Sequence, residues 1–484
     1  MGVLAPSLDP RQPTGLLLGE GFEQVNEDLV VESPYTGEPV ARVAVGTADH
    51  VALAVEAARA HLPPPPAAAR AAILERAAGI VRGRAELFAQ TIATEAGKPL
   101  RQARAEVARC TDTLTFSAVE ARRLAGTLVP MEASEAGVGK LGMIVREPVG
   151  VVGAISPFNF PLNLVAHKVA PAVAAGCPVV LKPASSTPLS ALLLAEALLD
   201  AGLPPGFMTV VIGGGGTVGN AIVDHPGVPL ISFTGSPPVG WGIRQRQPRK
   251  EVALELGNAT PVIVEADADL PLAAAKVAGS AFTNAGQSCI SVQRVYVQAT
   301  VHDRFLEDLC ELVEALTVGD PLDEATDVGP VIDAGSRERI ASWISEAAAA
   351  GAEVVTGGEV EGTLIRPTVL DGIEPTMKVS CEEVFGPVVG VAAYHDIDEA
   401  IALADGSPFG LQAGIFTARV DHALAWARRL HFGGVLINET PTFRADQQPY
   451  GGVKDSGNTR EGPPFAVQTM TEPKLIVISL PDDG

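Results

Sequence analysis

Three polar side chains from separate segments could together carry out covalent chemistry on a carbonyl group. They are Asn159 within residues 157–161, Glu255 within residues 254–257, and Cys289 at the end of residues 284–289. A thiolate attacks the carbonyl carbon, a carboxylate activates water, and a side-chain amide stabilises the oxyanion. A free cysteine alone is more often a small buried apolar residue. The combination instead predicts covalent oxidation of an aldehyde.

The local context of each residue suggests how its reactivity could be tuned. Asn159 follows an apolar strand-like run and precedes a helix, although asparagine is also a common turn residue. Glu255 ends the apolar stretch Val252–Leu254, which would raise its pKa toward that of a general base. Pairing with a lysine or arginine is the alternative. Cys289 ends a loop that could open a helix, and a helix N-terminus lowers a thiol pKa.

Two other segments could bind phosphate or ribose groups. Lys182 ends a strand before a helix, a position that suits a ribose or phosphate in an open α/β sheet, although it could simply be solvated. Residues 214–219 match GxGxxG, but no acidic residue follows about 20 positions on, so a flexible turn is favoured. Residues 233–240 are the better pyrophosphate site, because a strand ends there and a helix begins. Ser236 is expected to be that helix's N-cap.

Short apolar runs alternate with alanine-rich helical patterns, which predicts βαβ units and an α/β fold with parallel sheets. The expected strands of the first series are Val149–Ile155, Val179–Leu181, Thr209–Ile212 and Leu230–Phe233. The expected helices between them are Leu164–Ala175, Ser190–Ala201 and Val218–Asp224. A second series follows, with strand Arg294–Val297 and helices Val301–Leu316 and Arg337–Ala350. Met131–Ile144 and Thr471–Leu480 look strand-like, which favours a shared β-arm.

Length and composition restrict the class of protein. The 484 residues, 47% hydrophobic and 19% charged, suit a globular protein of two or three domains. A net charge of −22 argues against nucleic-acid binding. The five scattered cysteines form no zinc motif, so no metal is expected, and they suit a reducing compartment. No secretory signal and no membrane-length apolar run is evident, so a cytoplasmic protein without a membrane partner is predicted.

Taken together, these segments resemble the NAD(P)-dependent aldehyde dehydrogenase superfamily along nearly the whole chain. Asn159, Glu255 and Cys289 match its oxyanion amide, general base and nucleophile. The resemblance implies NAD or NADP as cofactor, Lys182 and Glu383 at the ribose, Ser236 at the pyrophosphate and Phe385 near the nicotinamide ribose. From its surroundings alone, Glu383 could bind ribose hydroxyls or be solvated. The full set of predicted cofactor-binding residues is Ile155, Ser156, Lys182, Ser185, Gly235, Ser236, Leu256, Glu383 and Phe385.

The resemblance also implies a domain plan and a reaction sequence. A Rossmann-like cofactor-binding domain is expected at 1–130 and 149–257, and a catalytic domain at 258–460. An arm at 131–148 and 465–484 would assemble homodimers or homotetramers. Cys289 would form a thiohemiacetal with the aldehyde, hydride transfer would leave a thioester, and water activated by Glu255 would release the acid.

Two departures from the family pattern bear on turn geometry and cofactor choice. Asn258 stands where a second glycine is usual, which could alter the turn beside Glu255. Ser185 stands where many NAD-preferring members carry glutamate. Since glutamate there would repel a 2′-phosphate, Ser185 suggests dual or NADP-leaning use.

The C-terminal segment 449–457 looks like that of members acting on small hydroxylated aldehydes. Several residues at the positions of the family's substrate funnel are polar, so the predicted substrate is a small polar or anionic aldehyde of the lactaldehyde, glyceraldehyde or semialdehyde type. The residues expected to line its pocket are Phe160, Asn163, His167, Ser288, Phe443 and Arg444.

Other functions would use the same nucleophile differently. A cysteine-dependent esterase or thioesterase needs Cys289 and Glu255 but no dinucleotide crevice. A coenzyme-A-acylating enzyme would release the thioester to a thiol, whereas Glu255 favours hydrolysis. A non-enzymic protein on this scaffold would be expected to lack the nucleophile or the base, and both are present.

Overall fold

A computed structural model describes residues 14–19, 21–25 and 27–481 of the chain. The start of the predicted cofactor-binding domain, 1–13, and the end of the predicted arm, 482–484, lie outside the described residues. Glu20 and Asn26 do so too.

Strands and helices alternate along most of the described chain. The strands of the first half are β1 Leu16–Leu18, β2 Gly21–Glu23, β3 Asp28–Glu32, β4 Pro39–Ala44, β5 Thr127–Val129, β6 Lys140–Pro148, β7 Val152–Ile155, β8 Val179–Lys182, β9 Met208–Val210, β10 Leu230–Thr234 and β11 Glu251–Glu255. Those of the second half are β12 Thr260–Val264, β13 Val292–Gln298, β14 Glu353–Thr356, β15 Val360–Glu361, β16 Leu364–Ile365, β17 Thr368–Asp371, β18 Val388–Tyr394, β19 Phe409–Gly410, β20 Gln412–Phe416, β21 Gly434–Ile437, β22 Val453–Lys454 and β23 Thr471–Ser479.

The helices lie mainly between these strands. They are α1 Ala48–Arg59, α2 Ala67–Gly83, α3 Ala85–Ala96, α4 Leu100–Arg123, α5 Asn163–Ala175, α6 Leu189–Asp200, α7 Asn220–Asp224, α8 Pro237–Arg246, α9 Leu270–Ala281, α10 His302–Glu314, α11 Ala334–Ala349, α12 Lys378–Cys381, α13 Ile397–Asp405, α14 Val420–Ala427 and α15 Pro463–Thr469.

The first sheet has the strand order β11-β10-β7-β8-β9-β1-β2. Strands β11, β10, β7, β8 and β9 are parallel, and β1 and β2 add antiparallel at one edge. After β7 the chain builds outward through β8 and β9, then returns to the other side of β7 to form β10 and β11. This reversal is a topological switch point, where open α/β sheets bind ligands beyond the carboxyl ends of their strands.

The second sheet has the order β14-β17-β18-β13-β12-β20-β21, parallel except for the β14–β17 pair. Each large sheet is enclosed by its own set of buried apolar side chains. Central strands such as β7 and β12 are buried along their whole length, as expected when helices cover both faces. The predicted α/β class is confirmed. The division into domains at the predicted residue numbers stays a prediction.

Two buried glutamates from outside the first sheet hold the helices that follow its strands. Glu106 of α4 accepts hydrogen bonds from the backbone N–H groups of Leu162 and Asn163, at 2.9 and 3.0 Å. Glu95 of α3 accepts those of Leu189 and Ser190, at 2.7 and 2.9 Å. Neither α5 nor α6 has a side-chain cap of its own. The carboxylates therefore satisfy N–H groups that the helices leave without partners.

A separate three-stranded antiparallel sheet has the order β23-β6-β5. Strand β23 pairs with β6 along its whole length, from Thr471 opposite Pro148 to Ser479 opposite Lys140. The strand prediction for 131–144 was wrong at its start, because Met131–Ala133 and Glu135–Gly137 are 3₁₀ turns. Gly137 lies so close to the Met131 carbonyl that a side chain could not fit. The turn Glu135–Gly137 therefore ends before strand β6 begins at Lys140.

The glycine segment 214–219 also differs from the prediction. It was expected to be a flexible turn, but Gly215–Gly219 forms a π-helical turn that continues into α7. The N–H of Gly219 donates to the Gly214 carbonyl at 3.3 Å. Intrachain hydrogen bonds therefore order this segment.

Within the described residues, no helix combines the length and apolarity needed to cross a lipid bilayer. The five cysteines are all free. The predicted cytoplasmic location stays a prediction.

Candidate active site

Adjacent strands of the first sheet end side by side at its switch point. Ile155 ends β7, Lys182 ends β8, Thr234 ends β10 and Glu255 ends β11. Beyond these ends lies a cavity of about 410 Å³. It is lined by Ile155, Ser156, Pro157, Phe158, Asn159, Leu164, Lys182, Gly215, Phe233, Thr234, Gly235, Ser236, Leu256, Gly257, Cys289, Glu383 and Phe385. Its volume is within the usual range for cofactor sites.

The structure brings together nearly all of the predicted cofactor-binding residues. All except Ser185 line the cavity. The Ser185 hydroxyl donates to the Gly213 carbonyl at 2.9 Å, close to the π-helical turn. Gly215 of that turn lines the cavity, although the sequence gave no reason to choose it. The Ser156 hydroxyl is buried and has no hydrogen-bond partner among the described residues, which leaves it available to a ligand.

Lys182 places a cation at the cavity wall. Its side chain is buried, and its ammonium group donates to the Pro183 carbonyl at 2.9 Å. Burial lowers the pKa of Lys182 to about 8. The ammonium group therefore stays mostly charged at neutral pH and can meet a phosphate or a ribose hydroxyl.

Glu383 and Phe385 approach the cavity from the second sheet's side. Glu383 accepts the backbone N–H of Asn258 at 3.0 Å, and burial raises its pKa to about 7. The Phe385 ring meets Phe158 edge-on at 5.8 Å. The Asn258 side chain is buried and donates to the Thr260 hydroxyl at 2.9 Å. The asparagine that replaces the usual glycine therefore anchors the turn after Glu255.

Ser236 occupies the N-cap position of α8, as predicted, but it does not cap the helix with its side chain. Its hydroxyl makes no cap hydrogen bond, and the residue is exposed at the cavity rim. Two prolines follow at the helix start, and proline has no N–H to donate. The prediction of Ser236 as the N-cap residue is confirmed in position, without the side-chain hydrogen bond typical of such a residue.

Asn159 connects the loop after β7 with the loop before Cys289. Its amide nitrogen donates to the Gln287 carbonyl at 2.9 Å, and its carbonyl oxygen is buried without a partner among the described residues. In return, Asn284 donates to the Asn159 backbone carbonyl at 3.1 Å. These two hydrogen bonds hold the Asn159 side chain beside the loop of residues 284–289.

The loop before Cys289 has unusual backbone angles. Asn284 and Ala285 both have φ of 53°, and Gly286 has φ of 71°. Gly286 also lies against the Gly386 carbonyl, so closely that no side chain could fit. Left-handed residues persist only where their surroundings enforce them, and they cluster at functional sites.

Cys289 does not open a helix, so that part of the prediction was wrong. Residues 288–291 form a turn that leads directly into β13. No helix that begins at Cys289 therefore lowers the pKa of its thiol. Burial raises the pKa of Cys289 to about 12, and a hydrogen bond with the Tyr450 hydroxyl, 3.0 Å from the sulfur, acts in the opposite direction.

Glu255 turns away from the large cavity. Both carboxylate oxygens are buried without a partner among the described residues, so the alternative of pairing with lysine or arginine does not hold. Burial first, and then the nearby Glu461 carboxylate, raise the Glu255 pKa well above its usual value. Beside Glu255 is a second cavity of about 20 Å³, also lined by Glu461, His167 and Arg460. That volume is sufficient for one water molecule.

Three predicted substrate residues form one hydrogen-bonded cluster, although none of them lines the large cavity. The Asn163 amide donates to Asp446 at 3.1 Å, and His167 Nε2 lies 2.9 Å from the same carboxylate. Arg444 Nη2 is 3.1 Å from His167 Nε2 and donates to Glu461 at 3.0 Å. Burial lowers the His167 pKa to about 4, which leaves the ring neutral at pH 7.

The other three substrate predictions lie apart from this cluster. The Lys98 ammonium group lies 3.7 Å from the centre of the Phe160 ring, and the Arg109 guanidinium lies 6.0 Å from it. The Ser288 hydroxyl accepts the N–H of Ile290 at 3.4 Å. Phe443 is 53% exposed.

Sequence reasoning missed several charged residues and one tyrosine. Asp446 accepts a bidentate pair from Arg109, at 2.8 and 3.2 Å, and Glu461 lies 3.4 Å from the Lys168 ammonium group. Tyr450 contacts Cys289. No motif indicated these partners, because most of them are separated by hundreds of residues in sequence. Among the described residues, no cluster of acidic, histidine and cysteine side chains has a metal-binding arrangement.

The parallel strands end around one cavity with a cysteine in its wall, an arrangement typical of α/β enzymes that bind a ligand at a switch point. Residues 22–476 match the aldehyde dehydrogenase family. The chain is 44% identical to the 3-sulfolactaldehyde dehydrogenase of Priestia aryabhattai, over 98% of this chain and 100% of that protein. The protein therefore belongs to the aldehyde dehydrogenase family, and the predictions of family and enzyme class are confirmed.

Solved structures agree with this assignment. Aldehyde dehydrogenase 21 from Physcomitrella patens, in complex with the product succinate, superposes with a TM-score of 0.94 at 38% identity, covering 98% of this chain and 100% of that one. Glyceraldehyde-3-phosphate dehydrogenase from Methanocaldococcus jannaschii, complexed with NADP, gives 0.90 at 36% identity, covering 94% and 100%. The predicted cofactors include the one bound in this second structure.

Proposed function

We propose that the protein oxidises a small polar or anionic aldehyde to its carboxylic acid with NAD or NADP, by covalent catalysis at Cys289. The observation that supports this most strongly is the position of Cys289 and Asn159 in the wall of the cavity that also contains Lys182 and Glu383. One cavity thus holds a nucleophile, an amide for the oxyanion, and polar groups for a dinucleotide.

The residues of the cavity fit a dinucleotide. Lys182 and Glu383 offer an ammonium group and a carboxylate to ribose hydroxyls, and the start of α8 at Pro237 offers the positive end of a ten-residue helix to a pyrophosphate. The buried Ser156 hydroxyl has no partner among the described residues and could hydrogen-bond to the ligand. When bound, the nicotinamide would supply the hydride acceptor.

The first chemical step belongs to Cys289. Its thiolate adds to the aldehyde carbon, and the carbonyl oxygen becomes an oxyanion. The Asn159 amide, which now donates to the Gln287 carbonyl at 2.9 Å, is the donor we assign to that oxyanion. Loss of hydride from the thiohemiacetal leaves a thioester on the sulfur.

The second chemical step belongs to Glu255. Its carboxylate takes a proton from water as the water oxygen attacks the thioester carbon, and the carbon–sulfur bond then breaks. The water-sized cavity beside Glu255 can hold a water against this carboxylate and Glu461. Cys289 does not line that cavity, so the Glu255 side chain must turn toward the sulfur to act on the thioester. A raised pKa makes Glu255 a stronger base once it is ionised.

The test is absorbance at 340 nm with purified protein, a panel of short aldehydes, and NAD or NADP in parallel. Cofactor reduction with succinic semialdehyde, 3-sulfolactaldehyde or lactaldehyde, at higher kcat/KM than with hexanal, is the expected result. Higher kcat/KM for hexanal would contradict the proposed substrate class. Ester cleavage without cofactor reduction by any aldehyde would support a hydrolase instead.

Two arginines of the charged cluster around Asp446 and Glu461 support an anionic substrate. Arg444 stacks 3.8 Å from the centre of the Tyr450 ring, and Arg109 keeps 28% of its side chain exposed beside Phe160. The relative from Priestia aryabhattai is named for a sulfonated aldehyde, and the Physcomitrella patens structure holds the dianion succinate. We infer that Arg109 meets the anionic end of the substrate, because it is the more exposed of the two arginines.

Replacing Arg109 with glutamine is therefore expected to raise KM for succinic semialdehyde about tenfold or more, since a hydrogen bond to a charged group contributes about 1.5–3 kcal/mol. KM for neutral lactaldehyde should change little. Arg104→Gln is a matched control, because Arg104 lies on the same helix but pairs with Glu86 and Glu324. Equal losses for both aldehydes in Arg109→Gln would contradict an anion-binding role.

Cofactor choice gives a separate prediction. Ser185 follows Lys182 by three residues, and we propose that its lack of charge admits the 2′-phosphate of NADP. Ser185→Glu is expected to raise KM for NADP about tenfold or more while changing KM for NAD little, because two negative charges repel in a partly buried site. Initial rates with each cofactor measure this. Ser186→Glu, at the exposed neighbouring residue, is the control. A Ser185→Glu variant with an unchanged ratio of the KM values for NADP and NAD would contradict this proposal.

We also propose that β5, β6 and β23 form an assembly surface for a homodimer or homotetramer. Apolar side chains remain exposed on these strands, with Leu128 at 73% and Leu475 at 57%. An exposed apolar strand face of this kind is typical of an interaction surface. Light scattering after size exclusion should give a multiple of the 49.9 kDa chain mass. A monomer at micromolar concentration would contradict the proposal.

A further inference from the structure

The Tyr450 hydroxyl contacts the sulfur of Cys289, and the reaction scheme above gives it no part. The two atoms are 3.0 Å apart, a hydrogen-bonding distance for sulfur. Tyr450 is only 3% exposed. Its ring packs with Ile290 and Leu411, which together form a small apolar cluster beside Cys289. This contact therefore lies inside the protein.

The tyrosine ring is held from two sides, so its hydroxyl has little freedom to leave the sulfur. Its backbone pairs with Glu461 through two hydrogen bonds, of 3.1 and 2.6 Å. The Arg444 guanidinium stacks 3.8 Å from the ring centre and donates to the Glu461 carboxylate at 3.0 Å. The ring, the guanidinium and the carboxylate thus form one connected unit. Such support gives a catalytic group a fixed position before the reaction begins.

Several features around Cys289 disfavour its thiolate, so a hydrogen-bond donor to the sulfur would have an effect. Burial and the carboxylates of Glu255 and Glu383 disfavour the thiolate, whereas Arg444 and the Tyr450 hydrogen bond favour it. No helix begins at Cys289 to assist. Burial also raises the pKa of Tyr450 well above its usual value, so the phenol keeps its proton and remains a donor.

We propose that Tyr450 is a further catalytic residue, whose hydroxyl donates a hydrogen bond to the Cys289 sulfur each time that sulfur carries negative charge. This inference rests on the proposed function of Cys289 as nucleophile. The sulfur is anionic twice in a turnover, before it attacks the aldehyde and after the thioester is cleaved. In both states a charge-assisted hydrogen bond is stronger than a neutral one.

Hydrolysis of the thioester begins with attack by water and ends with a thiolate on Cys289. Water oxygen bonds to the thioester carbon and gives its proton to Glu255. The carbon–sulfur bond then breaks, and its electron pair remains on sulfur. Tyr450 donates its hydrogen bond to that departing thiolate without transferring the proton. The products are the carboxylic acid and a thiolate that is ready for the next aldehyde.

Alkylation of the thiol by iodoacetamide tests this directly, because only the thiolate reacts. The rate is measured against pH for the wild type and for Tyr450→Phe, which keeps the ring under Arg444 and removes only the hydroxyl. We expect the apparent pKa of Cys289 in the variant to rise by about one unit, so that alkylation at a given pH below it slows about tenfold. Cys289→Ala gives the background from other cysteines. Tyr394→Phe is the matched control, since that buried hydroxyl donates to Glu265 instead.

A second substitution is expected to lower the pKa of the Cys289 thiol instead of raising it. A fluorinated tyrosine at position 450 has a more acidic hydroxyl, which donates more strongly, so it should lower the thiol pKa while preserving the fold. Unchanged alkylation profiles in both variants, or the same change in Tyr394→Phe, would overturn the proposal. The assay needs neither aldehyde nor cofactor. It therefore stands apart from the 340 nm assay, whose failure would count against the proposed function instead.

Discussion

Replacing Cys289 with alanine is expected to abolish aldehyde-dependent reduction of NAD or NADP, with kcat lowered about 10⁴-fold or more, as when other catalytic nucleophiles are removed. Alanine cannot form the thiohemiacetal, so no hydride becomes available. The half-buried site should accept the smaller side chain without unfolding. Initial rates at 340 nm measure the loss, and thermal unfolding shows whether the variant is folded.

Cys381→Ala is the matched control, because Cys381 is equally half-buried but lies at the end of α12. That variant should retain wild-type activity. A Cys289→Ala variant with more than a few per cent of wild-type kcat would show that the sulfur is not the nucleophile. Loss of activity in both variants would indicate a general requirement for thiols rather than a role of Cys289.

Glu255→Gln should separate the two halves of the reaction. Glutamine has nearly the same shape but cannot take a proton from water, so hydrolysis of the thioester should slow by about 10²- to 10⁴-fold. Thioester formation does not need this base in the proposed scheme. Rapid mixing should therefore show a burst of about one reduced cofactor per subunit, followed by a slow steady state. A variant that loses the burst together with the steady-state rate would place Glu255 in the first half-reaction.

The pH dependence of hydrolysis should follow the same carboxyl group. Only ionised Glu255 is a base, and burial together with Glu461 raises its pKa well above the ordinary value. The wild-type rate should therefore increase with pH well above the range where an ordinary glutamate titrates. In Glu255→Gln this increase should disappear. A wild-type profile that is flat from acid to alkaline pH would contradict the base assignment.

The ends of the parallel strands were the most predictable part of the structure. Apolar runs in the sequence predicted β7, β8 and β10 with small errors at their boundaries. Those boundaries place Lys182 and Thr234 at the carboxyl ends of β8 and β10. Parallel strands carry their functional groups at one edge, so separate sequence segments could be placed together. The sequence was reliable where one local pattern determines both the element and the position of its last residue.

Predictions failed where a local pattern admits two outcomes and distant contacts decide. The segment after Cys289 enters β13 because Val292–Gln298 pairs with strands on both sides. Ser236 stands at the N-cap position of α8, but its hydroxyl makes no cap hydrogen bond. Segment 449–457 was singled out for its resemblance to the family, but nothing in it indicated that Tyr450 contacts Cys289. Its contact with Cys289 spans 161 residues.

Mass spectrometry of Glu255→Gln after mixing with succinic semialdehyde and NADP tests the central claim most directly. Slow hydrolysis should trap the intermediate, so the peptide that contains Cys289 should gain the mass of a succinyl group, and hydroxylamine should remove it. The same mixture with Cys289→Ala should show no adduct. An adduct on another residue, or turnover in Glu255→Gln with the peptide of Cys289 unmodified throughout, would contradict covalent catalysis at this cysteine.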